Sequence, residues 1–203
     1  GETIYFPVDG SKRRFAAYFS HRDLTGTTYK VDLTTQPNPD GQAAFELLWT
    51  GITAAYDKNQ PNVSLNFNHQ YARIMLTVKN GAGIAAADLK NMEVVITGMH
   101  QRADFDVVSG TMTPTDQAAP LTLKDYTSDG TGRTALVLPT AADASRTMDF
   151  TLGSDTFSWP IGSKTFVAGK SYTYTVTVKR TSLGLNATVT EWEEGMGDNG
   201  TAE

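Results

Sequence analysis

Three histidines are the residues best suited to bind a metal or to transfer a proton, and they are widely separated in the chain. His21, His69 and His100 do not form the His-Glu-x-x-His spacing of a zinc hydrolase. His69 ends an alternating run, where a histidine more often makes a structural hydrogen bond, whereas His21 lies in a solvated turn and His100 in a loop. The sequence therefore predicts no metal site and no catalytic histidine.

Carboxylates could hydrolyse a glycoside if two of them faced each other. Glu191 and Glu193 flank Trp192 and would share one face of a strand, about 7 Å apart at ~3.3 Å per residue. These acids end the last alternating segment and run into Gly195, so surface charge around a core tryptophan is the better interpretation. A glycosidase or other hydrolase remains the least supported of the hypotheses.

Motifs for nucleophilic, phosphate and calcium chemistry are incomplete. Gly-x-Ser-x-Gly is absent, and Gly130-Thr131-Gly132 is half of a phosphate-binding motif with no long helix behind it. Residues 125–129 only weakly imitate a calcium loop. The chain has no cysteine, which excludes thiol nucleophiles, iron–sulfur clusters and disulfide scaffolds. We expect no catalytic residue and no cofactor, and interpret the chain as a non-enzyme.

Composition narrows the possible partners. The chain has 203 residues, of which 39% are hydrophobic, enough to form a packed core. Its net charge of −5 opposes attraction to phosphate backbones, and no basic run exceeds Lys12-Arg13-Arg14, so we expect no nucleic-acid partner. No stretch approaches the ~20 apolar residues of a membrane helix.

Alternation of apolar and polar residues is the dominant pattern and predicts strands. It is clear over 62–78, which includes Val63, Leu65 and Phe67, and over 172–189, where a short polar connection predicts a hairpin. Helix signals at 42–49 and 84–91 are too short to be persuasive. Strands every 8–12 residues, separated by Gly, Pro and Asn, are typical of a sandwich or barrel. We predict an all-β fold with little helix.

A domain boundary is expected near residues 110–120, which show neither helical nor strand periodicity. One long loop inside a single domain is the alternative, but the usual domain size favours two. We therefore predict an N-terminal domain at 1–112 and a C-terminal domain at 113–203.

A run of aromatic and polar residues resembles a family signature. Phe67-Asn68-His69-Gln70-Tyr71-Ala72-Arg73-Ile74 is similar to the Phe-x-His-x-x-Ala-(Arg/Lys)-(Ile/Leu) signature of fimbrillin-like proteins, the Mfa-like and FimA-like surface proteins of anaerobic gut and oral bacteria. Further segments resemble motifs of this family in the same order: Phe15–Tyr18, Leu89–Met99, Ala135–Pro139, Phe157–Ile161, Phe166–Val178 and Val189–Gly195.

This resemblance implies tandem transthyretin-like β-sandwich domains of Greek-key type. It implies that the N-terminal domain is incomplete at its start. The composition of residues 193–203 predicts that the C-terminal domain ends in a flexible acidic tail. It also implies export as a lipoprotein to the outer membrane, with membrane contact only through an N-terminal lipid anchor that this chain does not contain. The expected location is the cell surface or fimbrium.

The resemblance also implies a role in fimbrial adhesion. In that family, subunits assemble by strand exchange, in which a strand of one subunit fills a groove in another. Residues 193–203 are acidic and glycine-rich with no alternating apolar run, so we expect a tip or accessory component. The expected partners are other fimbrial subunits or host or bacterial surface ligands. The alternative is a carbohydrate-binding surface module whose loop aromatics stack on sugars.

Overall fold

The computed structural model describes residues 4–19, 24–181 and 184–191. Strands account for 46% of the structure and helices for 8%, which confirms the predicted all-β class with little helix. The strands of the described residues are, in chain order, β1 Ala16–Phe19, β2 Thr28–Asp32, β3 Leu48–Ile52, β4 Asn68–His69, β5 Ala72–Asn80, β6 Glu93–Met99, β7 Arg102–Asp106, β8 Thr111–Pro114, β9 Ala119–Thr122, β10 Lys124–Asp125, β11 Gly132–Val137, β12 Thr147–Leu152, β13 Asp155–Pro160, β14 Ser171–Thr181 and β15 Gly184–Glu191.

The helical segments are short. They are α1, Pro39–Gln42, and two 3₁₀ helices, Ala43–Phe45 and Ala86–Asn91. Each thus falls beside or within a predicted helix signal but is shorter than it. Among the described residues, no helix has both the length and the apolar character of a membrane span.

Two sheets enclose the larger hydrophobic core. One has the order β10-β11-β5-β14-β15 and the other the order β13-β12-β6-β9. Alternate side chains of β5, such as Ile74 and Leu76, point inward and pack in one cluster with Phe150, Phe157 and Val176 from the other strands. β5 is central because it pairs antiparallel with β11 and parallel with β14.

Two three-stranded sheets enclose the smaller core. Their orders are β1-β3-β4 and β2-β7-β8. The indole of Trp49 on β3 packs edge-on against Phe105 on β7, with ring centroids 5.6 Å apart, and its Nε1 donates to the carbonyl oxygen of Val107 at 2.9 Å. Tyr29 and Val31 of β2 complete the centre of this cluster.

β11 is the strand that both cores share. Every residue from Gly132 to Val137 is buried. Because successive side chains point to opposite faces, Ala135 and Val137 pack in the larger core, whereas Leu136 and Leu138 pack in the smaller one. The two cores therefore lie on opposite faces of one strand.

The strand pairing does not follow the predicted division into 1–112 and 113–203. β5 and β6 precede residue 112, yet they pair with β11, β12 and β14, which follow it. The segment taken as a boundary contains β8 and the start of β9. Local periodicity shows where strands lie but not which distant strand each one joins, and this is why the sequence placed the boundary there.

The predicted strand over 62–78 is only partly present. β4 and β5 cover its second part, whereas residues 61–67 form no strand. Leu65 and Phe67 are exposed there rather than facing a core. The alternation is real, but this segment has no partner strand in the described structure, and a strand needs one to pair its backbone groups. The predicted hairpin over 172–189 is present as β14 and β15.

Candidate partner-binding surface

The structure does not bring the candidate histidines together. His69 on β4 lies 2.8 Å from Glu46, measured from Nδ1 to Oε2, and His100 lies 3.0 Å from Asp116. Asp116 also accepts the backbone amides of Gln101 and Arg102, so this pair fixes the turn between β6 and β7. His21 lies outside the described residues. The two described histidines thus make the structural contacts predicted for them.

The remaining sequence candidates do not converge on a site either. Gly130 has a φ of +74° and forms part of a turn, as expected from its glycine-rich surroundings. Glu191 ends β15, and Trp192 and Glu193 lie outside the described residues. No group of three or more acidic or histidine side chains suited to a metal is found in the part of the chain that the structure describes.

The two described tryptophans fill cores, as predicted. Trp159 is buried and meets Tyr174 edge-on with ring centroids 5.3 Å apart, and Trp49 is held by its bond to Val107. Neither indole is an open platform for a sugar ring. The described tryptophans therefore do not form a sugar-binding site.

Exposed apolar side chains concentrate instead in the first third of the chain. Of ten large apolar side chains exposed in the described structure, seven lie between residues 4 and 67: Ile4, Tyr5, Val8, Phe19, Ile52, Leu65 and Phe67. We call these seven the N-terminal apolar surface. Single exposed apolar residues are ordinary, whereas a contiguous apolar patch marks an interaction site, and two of the seven, Ile4 and Tyr5, line one groove.

An apolar groove accompanies this surface. It has a volume of about 150 Å³ and is lined by Ile4, Tyr5, Phe6, Phe15, Pro61 and Val63. Aromatic packing forms its floor, because Phe15 contacts Phe6 edge-on at 6.0 Å between ring centroids and Tyr56 at 6.5 Å. Two backbone hydrogen bonds between Arg13 and Tyr56, of 2.7 and 2.8 Å, hold the segments around these residues together. The groove has room for a side chain from a partner.

β1 beside this groove is an edge strand with an irregular register. The amides of Phe15 and Ala17 donate to the side-chain oxygens of Thr53 and Thr50, at 3.0 and 2.9 Å. Because both amides point towards β3, the amide of Ala16 between them points to the other side, where the described chain provides no neighbouring strand. An edge of this kind can pair with a strand of another chain.

The charge beside the groove is basic, although the chain as a whole is acidic. Lys12, Arg13 and Arg14 are exposed. Asp9, three residues before this run, has a pKa below its ordinary value, mainly because the backbone amide of Ser11 donates to it at 2.8 Å, with a smaller effect of Arg13. The groove is therefore better suited to a neutral or acidic segment than to a basic one.

Sequence reasoning did not find this surface. Ile4, Tyr5 and Val8 are 79%, 82% and 94% exposed, yet alternation alone cannot show whether an apolar face is covered. The signal that could have found it is Pro61 at the start of the 61–67 segment, since proline lacks the amide that a central strand needs.

The model of the fimbrillin-like family matches residues 1–192. The chain belongs to the fimbrillin-like family. A Bacteroides uniformis protein assigned as fimbrium subunit Fim1C is 32% identical over 216 residues, with 100% of this chain and 70% of that protein covered. The family resemblance found in the sequence is thus confirmed.

Solved structures show the same fold. A Bacteroides uniformis protein assigned to cell adhesion superposes with a TM-score of 0.71 at 30% identity, covering 95% of this chain and 77% of that one. A Bacteroides ovatus protein with the same assignment gives a TM-score of 0.63 at 14% identity, covering 94% and 70%, and this likeness concerns the fold alone.

Family membership decides the coarse function of this fimbrillin-like chain. Its function is fimbrial adhesion and its location is the cell surface, as predicted. A structural role follows from the family. The tandem transthyretin-like arrangement remains a prediction.

Proposed function

We propose that this fimbrillin-like chain joins other fimbrial subunits through β1 and the N-terminal apolar surface, by accepting a strand from a neighbouring subunit. The observation that carries the proposal is the coincidence of an open edge, at Ala16, with an apolar groove lined by Phe6, Phe15 and Val63. In strand addition, backbone hydrogen bonds supply affinity and alternate side chains fill pockets. Both components lie side by side here.

The occupant that fits is an extended segment with apolar side chains at alternate positions and no net positive charge. Apolar side chains would cover Phe19 and Ile52, which are exposed in the isolated chain. The basic stretch at Lys12–Arg14 would attract acidic residues beside that segment and repel basic ones. Fimbrial subunits are the partners that the family membership favours.

Matched substitutions test the proposal. Phe19→Ser, on β1, and Ile52→Ser, on β3 opposite Ala16, remove apolar side chains next to the open edge, whereas Val108→Ser and Val167→Ser remove similarly exposed ones elsewhere. All four residues are exposed, so folding stability should change little. We expect the first pair to reduce incorporation into fimbriae, measured by immunogold labelling, while the second pair leaves it unchanged. Equal incorporation of all four variants would exclude this surface.

We also propose a tip or accessory position in the fibre and attachment to the outer membrane. The support for a position in a fibre is the similarity to a fimbrium subunit. The support for attachment is the family to which the chain belongs. For the tip position, we expect gold labels confined to fibre ends. For membrane attachment, we expect the protein in outer-membrane fractions. Labels spaced along the whole fibre, or recovery in the soluble fraction alone, would contradict these two proposals respectively.

A further inference from the structure

Three edge strands of the sheets contain a proline. β8, β9 and β13 each lie at the end of a sheet, and they contain Pro114, Pro120 and Pro160. All three prolines are exposed, so the packing of a core does not require them. Proline has no backbone N–H and cannot donate to a neighbouring strand. These residues therefore bear on the edges that another chain can use.

The nitrogen of each proline faces away from its sheet. Successive amides of an antiparallel strand point to opposite sides. The amides of Thr115, Leu123 and Ile161 donate to the segment that pairs with their strand, at 3.0, 2.9 and 3.1 Å. Each lies an odd number of positions after the proline of its strand, so the proline nitrogen points the other way. Each proline thus removes a donor from the open side of an edge.

The edge of β9 is closed by a side chain as well. Nε2 of Gln101 donates to the carbonyl oxygen of Pro120 at 3.0 Å, and Gln101 is 9% exposed. This bond uses the acceptor that lies beside the missing donor. An added strand would find no donor at Pro120 and an acceptor that is already bonded.

The edges of β13 and β15 close one another. Residues of these two strands lie within 8 Å of each other, measured between Cα atoms. A strand inserted between them would need about 9.6 Å, twice the ~4.8 Å spacing of paired strands. The ion pair of Arg180 with Asp155 also joins β14, the neighbour of β15, to β13. Where β13 and β15 approach each other, there is no room for another strand.

Among the described strands, β1 and β2 are the remaining edges longer than two residues. On β2, the amide and carbonyl of Thr28 are bonded to Thr25 at 3.0 and 2.9 Å, and the next outward residue is Lys30. A lysine on an edge strand opposes strand addition. β1 contains neither proline nor lysine. The edge of β8 differs from the others because Pro114 is its barrier.

We propose that Pro114 keeps β8 from accepting a strand and thereby directs a neighbouring subunit to β1. The inference rests on the strand-accepting role proposed for β1. At β9 and β13 the proline acts together with a second barrier, whereas at β8 it acts alone. Pro114 is thus a specificity determinant of assembly, since it leaves the chain with one accepting edge.

Pro114→Thr tests the proposal on the full chain, because it restores an outward amide on β8. We expect this variant to self-associate at a several-fold lower concentration than the wild type, measured by sedimentation velocity. The outward amide of Met112 should gain protection from hydrogen exchange in the associated form. Thr113→Val is the matched control. It raises strand propensity on β8, but the amide of residue 113 faces inward, so it should behave as the wild type does.

Pro160→Thr is the second comparison and should also behave as the wild type, because β15 still covers β13. Thermal melts establish that each variant is folded, and Pro114→Val, which restores the same amide, decides if Pro114→Thr is not. Unchanged association of the folded Pro114 variant, or association without protection of Met112, would overturn the proposal. Equal association of Pro114→Thr and Thr113→Val would overturn it too.

Failure of this inference is distinguishable from failure of the subunit contact. If Phe19→Ser and Ile52→Ser reduce incorporation into fimbriae while the Pro114 variants do not associate, β1 remains the accepting edge and the role of Pro114 is rejected. If the Pro114 variants associate through β8 while Phe19→Ser and Ile52→Ser have no effect, Pro114 is a barrier, but its role in directing subunits to β1 is rejected.

Discussion

The side-chain amide of Gln36 pairs with both backbone groups of Leu136. Its Oε1 accepts the Leu136 amide at 2.8 Å, and its Nε2 donates to the Leu136 carbonyl oxygen at 3.0 Å. β10 pairs with β11 only at Arg133 and Thr134, so at Leu136 the glutamine amide stands where a neighbouring strand would place a peptide group. Gln36 is only 3% exposed. Its side chain therefore provides hydrogen-bond partners for the backbone groups at a strand edge that is buried inside the protein.

Gln36→Ala should destabilise the fold strongly. The substitution leaves the amide and carbonyl of Leu136 without their partner in an apolar region, at a cost of about 1–3 kcal/mol for each unpaired group. Urea denaturation measures the loss in free energy of unfolding. Gln60→Ala, at an exposed position, is the matched control and should change it by less than about 0.5 kcal/mol. Equal effects of the two substitutions would show that the Gln36 pairing contributes nothing.

Arg133→Met and Arg146→Met should differ, although both arginines are buried and burial lowers the pKa of both. Arg133 donates to the carbonyl oxygens of Gly130, Leu89 and Met92 at 2.5–2.9 Å. It also forms an ion pair with Asp125. Arg146 donates at 3.1 to 3.3 Å, and its Nε has no partner among the described residues.

Arg133→Met should therefore lower the free energy of unfolding by about 3 kcal/mol, because it leaves buried carbonyl oxygens unpaired. Arg146→Met should lower it by about 1 kcal/mol. Chemical denaturation of both variants gives the comparison. A larger loss for Arg146→Met than for Arg133→Met would contradict this ranking.

Gly110→Ala should be far more harmful than Gly153→Ala. Both glycines have a positive φ, +73° and +61°, so either alanine pays a backbone penalty of about 1 kcal/mol. A Cβ on Gly110 would also lie 2.3 Å from the Cη2 of Trp49, whereas one on Gly153 would meet nothing within 4 Å. The clash should add about 1–3 kcal/mol. Similar melting temperatures for the two variants would rule out the close packing of Gly110 on the indole.

Asp129 should titrate well below an ordinary aspartate. Hydrogen bonds from the backbone amide and hydroxyl of Thr131 lower its pKa from 3.8 to about 2. Because the folded-state pKa is the lower one, the stabilisation is complete above about pH 4 and is lost as the pH falls towards 2. The carboxyl ¹³C shift of Asp129, followed by NMR, measures its midpoint directly. A midpoint near 4 would mean that these bonds are not formed in solution.

Local patterns predicted some elements well because the evidence for them is local. The β14–β15 hairpin follows from alternation on both sides of a short polar connection. The positions of Trp159 in one core and of Trp49 against the other follow from their apolar neighbours. In both cases a few adjacent residues contain all the information that is needed.

Other features depend on distant contacts and escaped prediction. The parallel pairing of Tyr172 with Ile74 joins residues far apart in sequence, and nothing near either residue indicates it. The same holds for Gln36 beside Leu136. The exposure of Leu65 and Phe67 was also missed, because alternation defines two faces of a segment but not what covers them.

Amide hydrogen exchange of β1 tests the central claim most directly. Exchange is followed in the isolated chain and in the chain assembled with its fimbrial partners. If β1 accepts a strand, the amide of Ala16 should gain strong protection on assembly, because it acquires a backbone partner at the open edge. The exposed edge strand β8 should exchange at the same rate in both states. Unchanged exchange at Ala16, with new protection at β8 instead, would contradict the account.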